Sequence, residues 1–205
     1  LAMNQQISVS GANKQVKYYT SLRYLNQDGI LISSGIKQYN LLVNLEITPN
    51  DKFKFGINLN GNLNVKDKIA NESNAGNENA DPLNAATQFD PTLSPKKNED
   101  GLYETNPTIA LDNPIALAYG YDYREQNNRV YGNTYGEYQI THDLKATIKL
   151  GGDLFNIRDD NYTNQTTQKG LANGGIGEIN STNQSYWLSE GLLNYDKTFG
   201  KHHLS

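Results

Sequence analysis

Residues 16–63 alternate in steps of two through three successive segments, and this fixes the class of fold open to the chain. Val16, Tyr18, Thr20, Leu22 and Tyr24 are followed by Tyr39, Leu41, Val43, Leu45 and Ile47, then by Phe53, Phe55, Ile57 and Leu59. The residues between them include Lys17, Arg23, Asn40, Asn44, Glu46, Lys54 and Asn58. A helix with 3.6 residues per turn would mix the two sets, whereas a strand separates them cleanly. The segment is therefore read as three antiparallel strands with one apolar and one polar face.

The same reading along the chain predicts strands at 4–11, 16–25, 38–48, 52–63, 130–140, 144–155 and 185–198. An eighth begins after a turn at Phe199-Gly200-Lys201-His202 and runs to Ser205. Asn26-Gln27-Asp28-Gly29 and Pro49-Asn50-Asp51 are turn signals. Two long polar excursions, about 65–128 and 156–184, interrupt the pattern. Within the first, Asp81 followed by Pro82 predicts a short helix ending near Pro91. The fold class expected is all-β: an antiparallel meander of about eight consecutive strands.

Connection lengths carry a second argument. They run short, medium, short, long, short, long, short, so all the large excursions leave one end of the sheet. A membrane barrel has this asymmetry, with tight turns on one side and long loops on the other. No apolar run is long enough for a spanning helix, but spanning strands need only about 9–11 residues. In a barrel, Leu22, Leu41, Val43, Leu45, Ile57, Leu59, Ile148 and Leu150 face lipid, while Arg23, Asn44, Glu46, Asn58, Glu137 and Glu190 face the lumen. The 14 tyrosines and single tryptophan suit a wall with dry and wet margins. The competing reading is a soluble or surface-attached β-sheet module that binds carbohydrate or peptide, with the same apolar face covering a core.

Charge and motifs narrow the chemistry. A net charge of -4 with no basic cluster gives no support to a nucleic-acid partner. Asp159-Asp160-Asn161 lacks calcium-loop spacing, and adjacent His202 and His203 point to opposite faces of a strand. Gly174-Gly175-Ile176-Gly177 lacks the strand-to-helix setting of a phosphate loop. No catalytic, cofactor or metal site is expected, and the chain is not read as an enzyme.

The runs Ile7 to Gly11 and Val16 to Ile30, with Tyr39 to Leu63, Asn128 to Asn133 and Leu192 to Gly200, resemble the early barrel of SusC/RagA-like TonB-dependent outer-membrane transporters. The resemblance implies a barrel of about 22 strands in the whole protein, a plug domain preceding this stretch, and residues 1–205 as a partial barrel fragment with 65–128 and 156–184 outside. It implies a bacterial outer-membrane location, import of glycans, oligosaccharides or peptides, a SusD-like surface lipoprotein as lid, and energy coupling to TonB through an N-terminal region. Outer-membrane lipids would surround the wall. Tyr103, Asn106, Asp112, Asn113, Tyr119, Tyr121 and Tyr123 form the candidate ligand-binding rim, with rings for apolar faces and amides or carboxylates for polar groups.

Overall fold

The computed structural model describes residues 1–70, 81–109 and 111–205. Seven antiparallel strands form one sheet in chain order. They are β1 (Ala2–Ala12), β2 (Val16–Asp28), β3 (Gly35–Asn50), β4 (Phe53–Lys68), β5 (Tyr121–Thr141), β6 (Leu144–Thr163) and β7 (Ile176–Tyr195). The long connections hold α1 (Pro82–Gln88), α2 (Pro114–Gly120) and α3 (Gln168–Asn173). No described helix is long and apolar enough to cross a membrane.

Register sorts every side chain to a face. One row crosses the sheet as Ile7, Leu22, Leu41, Gly61, Val130, Leu154 and Ser185. Alternation then puts Val43, Leu45, Ile57, Ile148 and Leu150 on this face, and Arg23, Asn40, Asn58 and Arg129 on the reverse. Toward the tight turns the apolar face ends in Phe53, Phe55 and Tyr138, with the Phe53 and Tyr138 ring centroids 4.7 Å apart. Toward the long loops it ends at Tyr24 and Tyr39, whose centroids are 5.0 Å apart. The band between these margins is about ten residues tall on each strand, the length of a spanning segment.

Among the described residues nothing packs on this band. Leu22 and Leu150 are half exposed, and Ile148 is 61% exposed. The buried apolar residues lie elsewhere, in the loops and at the loop end of β5: Ala70, Ala85, Leu111, Leu117, Tyr121 and Tyr123 cluster together, with Phe89 against them.

Local chemistry explains the turns. Asn13 accepts hydrogen bonds from the amides of Gln15 and Val16, and Asn50 accepts from Lys52 and Phe53. A side-chain oxygen thus closes both reversals. Pro49, which has no amide to donate, lies where the β3–β4 register shifts. The connections 13–15, 51–52 and 142–143 lie at one end, and 29–34, 69–120 and 164–175 at the other, so the expected alternation holds.

Three expectations are corrected. The strands reach farther toward the loops than 65–128 and 156–184 allowed, since Val65 pairs with Gln126, Lys68 with Tyr123 and Thr163 with Ile176. Beyond the Tyr24–Tyr39 row polar and apolar residues are mixed on both faces, so hydrophobic alternation stops while pairing continues. Second, Tyr121 and Tyr123 belong to β5 instead of a loop. Third, the turn expected at Phe199-Gly200-Lys201-His202 and the strand after it are present, but Lys197–Phe199 (β8) and His202–Leu204 (β9) pair as a two-stranded ladder of their own around Gly200, whose φ is 60°, and do not extend the seven-stranded sheet. Past the last β6–β7 pair, Leu144 with Tyr195, the Asp196 amide donates to the Asp143 carbonyl at 2.8 Å. Residues 71–80 and 110 of the first excursion lie outside the described residues.

The helix predicted after Asp81 is present. Asp81 accepts from the Leu83 amide and Pro82 opens the first turn. Tyr121 and Tyr123 meet edge to face, centroids 5.3 Å apart, at the base of the loop cluster. Tyr121→Ala is expected to cost the loop unit about 3 kcal/mol by leaving a cavity. Limited proteolysis should then cut within residues 81–120 sooner, with the strand ladders still protected.

Candidate functional site

The polar face forms a trough. Gln6 of β1, Arg23 of β2, Asn40 of β3, Asn62 of β4, Arg129 of β5 and Phe155 of β6 line one cleft of about 490 Å³. Side chains bond to one another along it. Arg23 donates to Asn4 at 3.0 Å, Asn62 to Asn40, and Asn58 to Asn133 at 3.0 Å. Arg129 grips both oxygens of Asp153 at 3.0 and 2.6 Å and lies 4.9 Å from the Tyr131 ring centre. A planar fork pinned at two points and laid on a ring is well oriented.

A second cleft of about 430 Å³ lies nearer the tight turns, between Lys17, Tyr19, Asn44, Glu46, Asn58 and Tyr135. Glu46 is its centre. Its carboxylate takes Lys54 at 2.8 Å, Lys17 at 3.1 Å and the Tyr135 hydroxyl at 3.1 Å. The Tyr135 ring lies over Gly56, and a Cβ on that glycine would stand 2.0 Å from the ring. The hydrogen of Gly56 is what lets the ring lie flat across β4 and reach Glu46 on β3.

By register, Arg23, Asn44, Glu46, Asn58, Glu137 and Glu190 lie on one face of the sheet. Arg23, Asn44, Glu46 and Asn58 line the two clefts. Glu137 pairs with Lys145 at 3.5 Å, and Glu190 stands opposite Lys149 on the exposed strand β7. Arg129, Asp153, Asn62 and Tyr135 belong with them and were not singled out. Alternation from Asn58 along β4 reaches Asn62, and from Glu137 along β5 reaches Tyr135 and Arg129, with the short 142–143 turn carrying the parity on to Asp153.

The rim candidates divide. Tyr119 is exposed on α2, and Tyr103 bridges to Lys97, whose ammonium stands 5.4 Å from its ring centre. Asn106 turns its oxygen to the amides of Thr108 and Ile109. Asn113, Tyr121 and Tyr123 are buried. Asn113 caps α2 through the Ile115 amide and donates to the Ser94 carbonyl.

Asp112 joins the two loops. Both its oxygens accept from the Gln168 amide, 3.1 Å each, at the start of α3. Thr167 caps that helix, and Gly174 ends it with φ 70°. Gly170 is packed so closely that a Cβ would meet the Asn164 carbonyl oxygen at 1.8 Å. Among the described residues no group of three His, Cys, Asp or Glu side chains is placed to hold a metal.

Comparison with known proteins follows this geometry. No family model matches the chain. TonB-dependent receptor P3 of Formosa agariphila is 30% identical over 204 residues, covering 98% of this chain and 20% of the relative. TonB-dependent receptor P26 of the same organism is 30% identical over 207 residues, with the same coverages. The chain is homologous to TonB-dependent receptors. It spans about one fifth of the length of the curated relatives it matches. The fold is also that of a part of the RagAB peptide importer in the 'open-open' state, at TM-score 0.68 and 16% identity over 97% of this chain and 22% of that one. The 'closed-closed' state gives 0.66 and 15%, over 96% and 22%.

Two outcomes test the site. Burial raises the Asp112 carboxyl above its usual range despite the Gln168 amide. A raised folded value means stability present at low pH and lost as pH rises through that value. Docking of 164–175 should therefore loosen from acid toward neutral pH, and Asp112→Asn should flatten the dependence, read by hydrogen exchange corrected for intrinsic rates. For the second cleft, Tyr135→Phe should cost about 1 kcal/mol. In a Gly56→Ala background, where the ring is already displaced, Tyr135→Phe should cost nothing further, a coupling measured by double-mutant cycle.

Proposed function

We propose that this chain is a stretch of the wall of an outer-membrane β-barrel, and that the whole protein is a TonB-dependent importer. One observation carries the reading: a single sheet shows an uncovered apolar band about ten residues tall on one face and a hydrogen-bonded polar trough on the other. An apolar surface of that extent needs a partner, and hydrocarbon fits its height. Aromatic rings at both margins match the two interfaces of a bilayer. The alternation of connections and the homology with TonB-dependent receptors point the same way.

In this reading the trough faces the lumen. Arg23, Asn44, Glu46, Asn58, Glu137 and Glu190 meet water, cargo or a plug domain located elsewhere in the protein. β1 and β7, both edges here, pair with further wall strands. Residues 69–120 and 164–175 lie outside the cell. Tyr103, Asn106, Asp112 and Tyr119 stand at the entrance, where rings and polar groups contact a glycan, oligosaccharide or peptide. Asn113, Tyr121 and Tyr123 hold the platform that presents them. A SusD-like surface lipoprotein covers the entrance, and TonB-coupled movement of the plug opens the path inward. The wall itself is rigid, and its work is passage without bond cleavage.

These 205 residues contain no cysteine, so a cysteine introduced here is unique within this stretch, and the parent protein serves as the labelling blank. In the full-length protein, in outer membranes, Lys149→Cys should react with a water-soluble maleimide at least about tenfold faster than Ile148→Cys, its neighbour on the opposite face. Equal reaction at the two positions, or recovery of the protein in the soluble fraction, would overturn the reading.

A further inference from the structure

Cations on the polar face stand with carboxylates almost throughout. Glu46 takes Lys17 and Lys54, Asp153 takes Arg129, Glu137 pairs with Lys145, and Glu125 with Asp159 holds Lys66 and Lys68. Lys149 stands opposite Glu190. Arg23 breaks the pattern. Its Nε donates to the amide oxygen of Asn4 at 3.0 Å, and among the described residues no carboxylate pairs with it and its Nη nitrogens make no hydrogen bond. The side chain is partly buried. A guanidinium drawn part-way out of water without a counter-charge leaves a demand for one.

The surroundings define what can meet that demand. Arg23 lies in the 490 Å³ cleft, in one row across the sheet with Gln6, Asn40 and Asn62. No Asp or Glu lines this cleft, and Arg129, the other charged residue in its wall, is already closed by Asp153. The cavity therefore faces one unopposed positive charge. Around it the lining is mostly amide. Asn64 donates to Asn62 and Asn62 to Asn40, which leaves the Asn64 Oδ1 at the head of the relay a buried acceptor with no hydrogen-bond partner. Amides donate and accept at once, as sugar hydroxyls do, and Phe155 offers a ring to an apolar sugar face. A peptide with a free N-terminus suits the cleft less well, because its ammonium finds no open carboxylate there.

We propose that this cleft is a subsite for an acidic oligosaccharide, with the open fork of Arg23 taking a carboxylate of the cargo and the amides taking its hydroxyls. A planar fork meets a planar carboxylate at two points, which a neutral sugar cannot reproduce. The site rests on the lumen-wall reading above and adds to it the charge of the cargo, with Arg23 as the residue that tells acidic from neutral.

The test uses full-length protein extracted from outer membranes into detergent. Probes are oligogalacturonates and oligoalginates, the same oligosaccharides after reduction of each carboxylate to a neutral hydroxymethyl group, and acidic peptides of matched charge, all read by native mass spectrometry. The wild type should retain the acidic oligosaccharides about tenfold better than their reduced forms, and better than the peptides. R23Q should lose that preference with little change toward the reduced forms. R23K, which keeps the charge without the fork and guards against a folding defect in R23Q, should retain part of it. R158Q, on the outward face and paired with Asp160, should behave as wild type. No preference of the wild type for the acidic over the reduced forms, stronger retention of the peptides, or an unchanged preference in R23Q would overturn the subsite. Equal maleimide reaction at positions 148 and 149 would instead defeat the wall reading on which it rests.

Discussion

The structure depends on an apolar surface that the chain does not cover. Leu22, Leu41, Ile57, Val130, Ile148 and Leu154 stand on one face of a sheet that no second layer covers among the described residues. In an ordinary β domain such a face meets another sheet or a helix. Here the backbone ladders hold the sheet together by hydrogen bonding, and in the proposed membrane wall apolar stabilisation would come from lipid outside the chain. The other face must then solve the opposite problem. It does so with amide pairs such as Asn58–Asn133, and with ions gathered around single centres such as Glu46.

Strand length follows from the same division. Beyond the apolar band both faces are wet, and β4 to β7 continue on cross-strand charge. Lys66 and Lys68 share Glu125, and Lys68 also reaches Asp159. Pairs this exposed contribute little each, but a set sharing partners across three strands keeps the ladders in register. Above them the loops close into the one dry cluster, seated on Tyr121 and Tyr123.

Legibility in the sequence tracks burial. Residues 16–63 were readable because one face carries an apolar demand at every second position. The upper ends of β5, β6 and β7 were not, because Arg124, Glu125, Asp159 and Asn180 serve two wet faces and leave no alternation. Asp81-Pro82 announced α1. Asn113-Pro114 is the same cap-and-proline signal and marks α2. α3 hid in a glycine-rich stretch whose Gly174 and Gly175 end the helix in left-handed conformations. Rim geometry was illegible for another reason: whether Tyr119 or Tyr121 points outward depends on long-range packing between loops.

The bare Cα at position 56 leaves a recess one ring deep on the inner surface, and Tyr135 is tiled into it. In the proposed barrel, a ring flush with the wall would take up almost none of the open cross-section. Were the recess filled, rotation about a single torsion would stand the same ring upright, turning a paving stone into a post. The clearance at that level would then be set by the smallest side chain in the row, on a strand that contributes no bulk there itself.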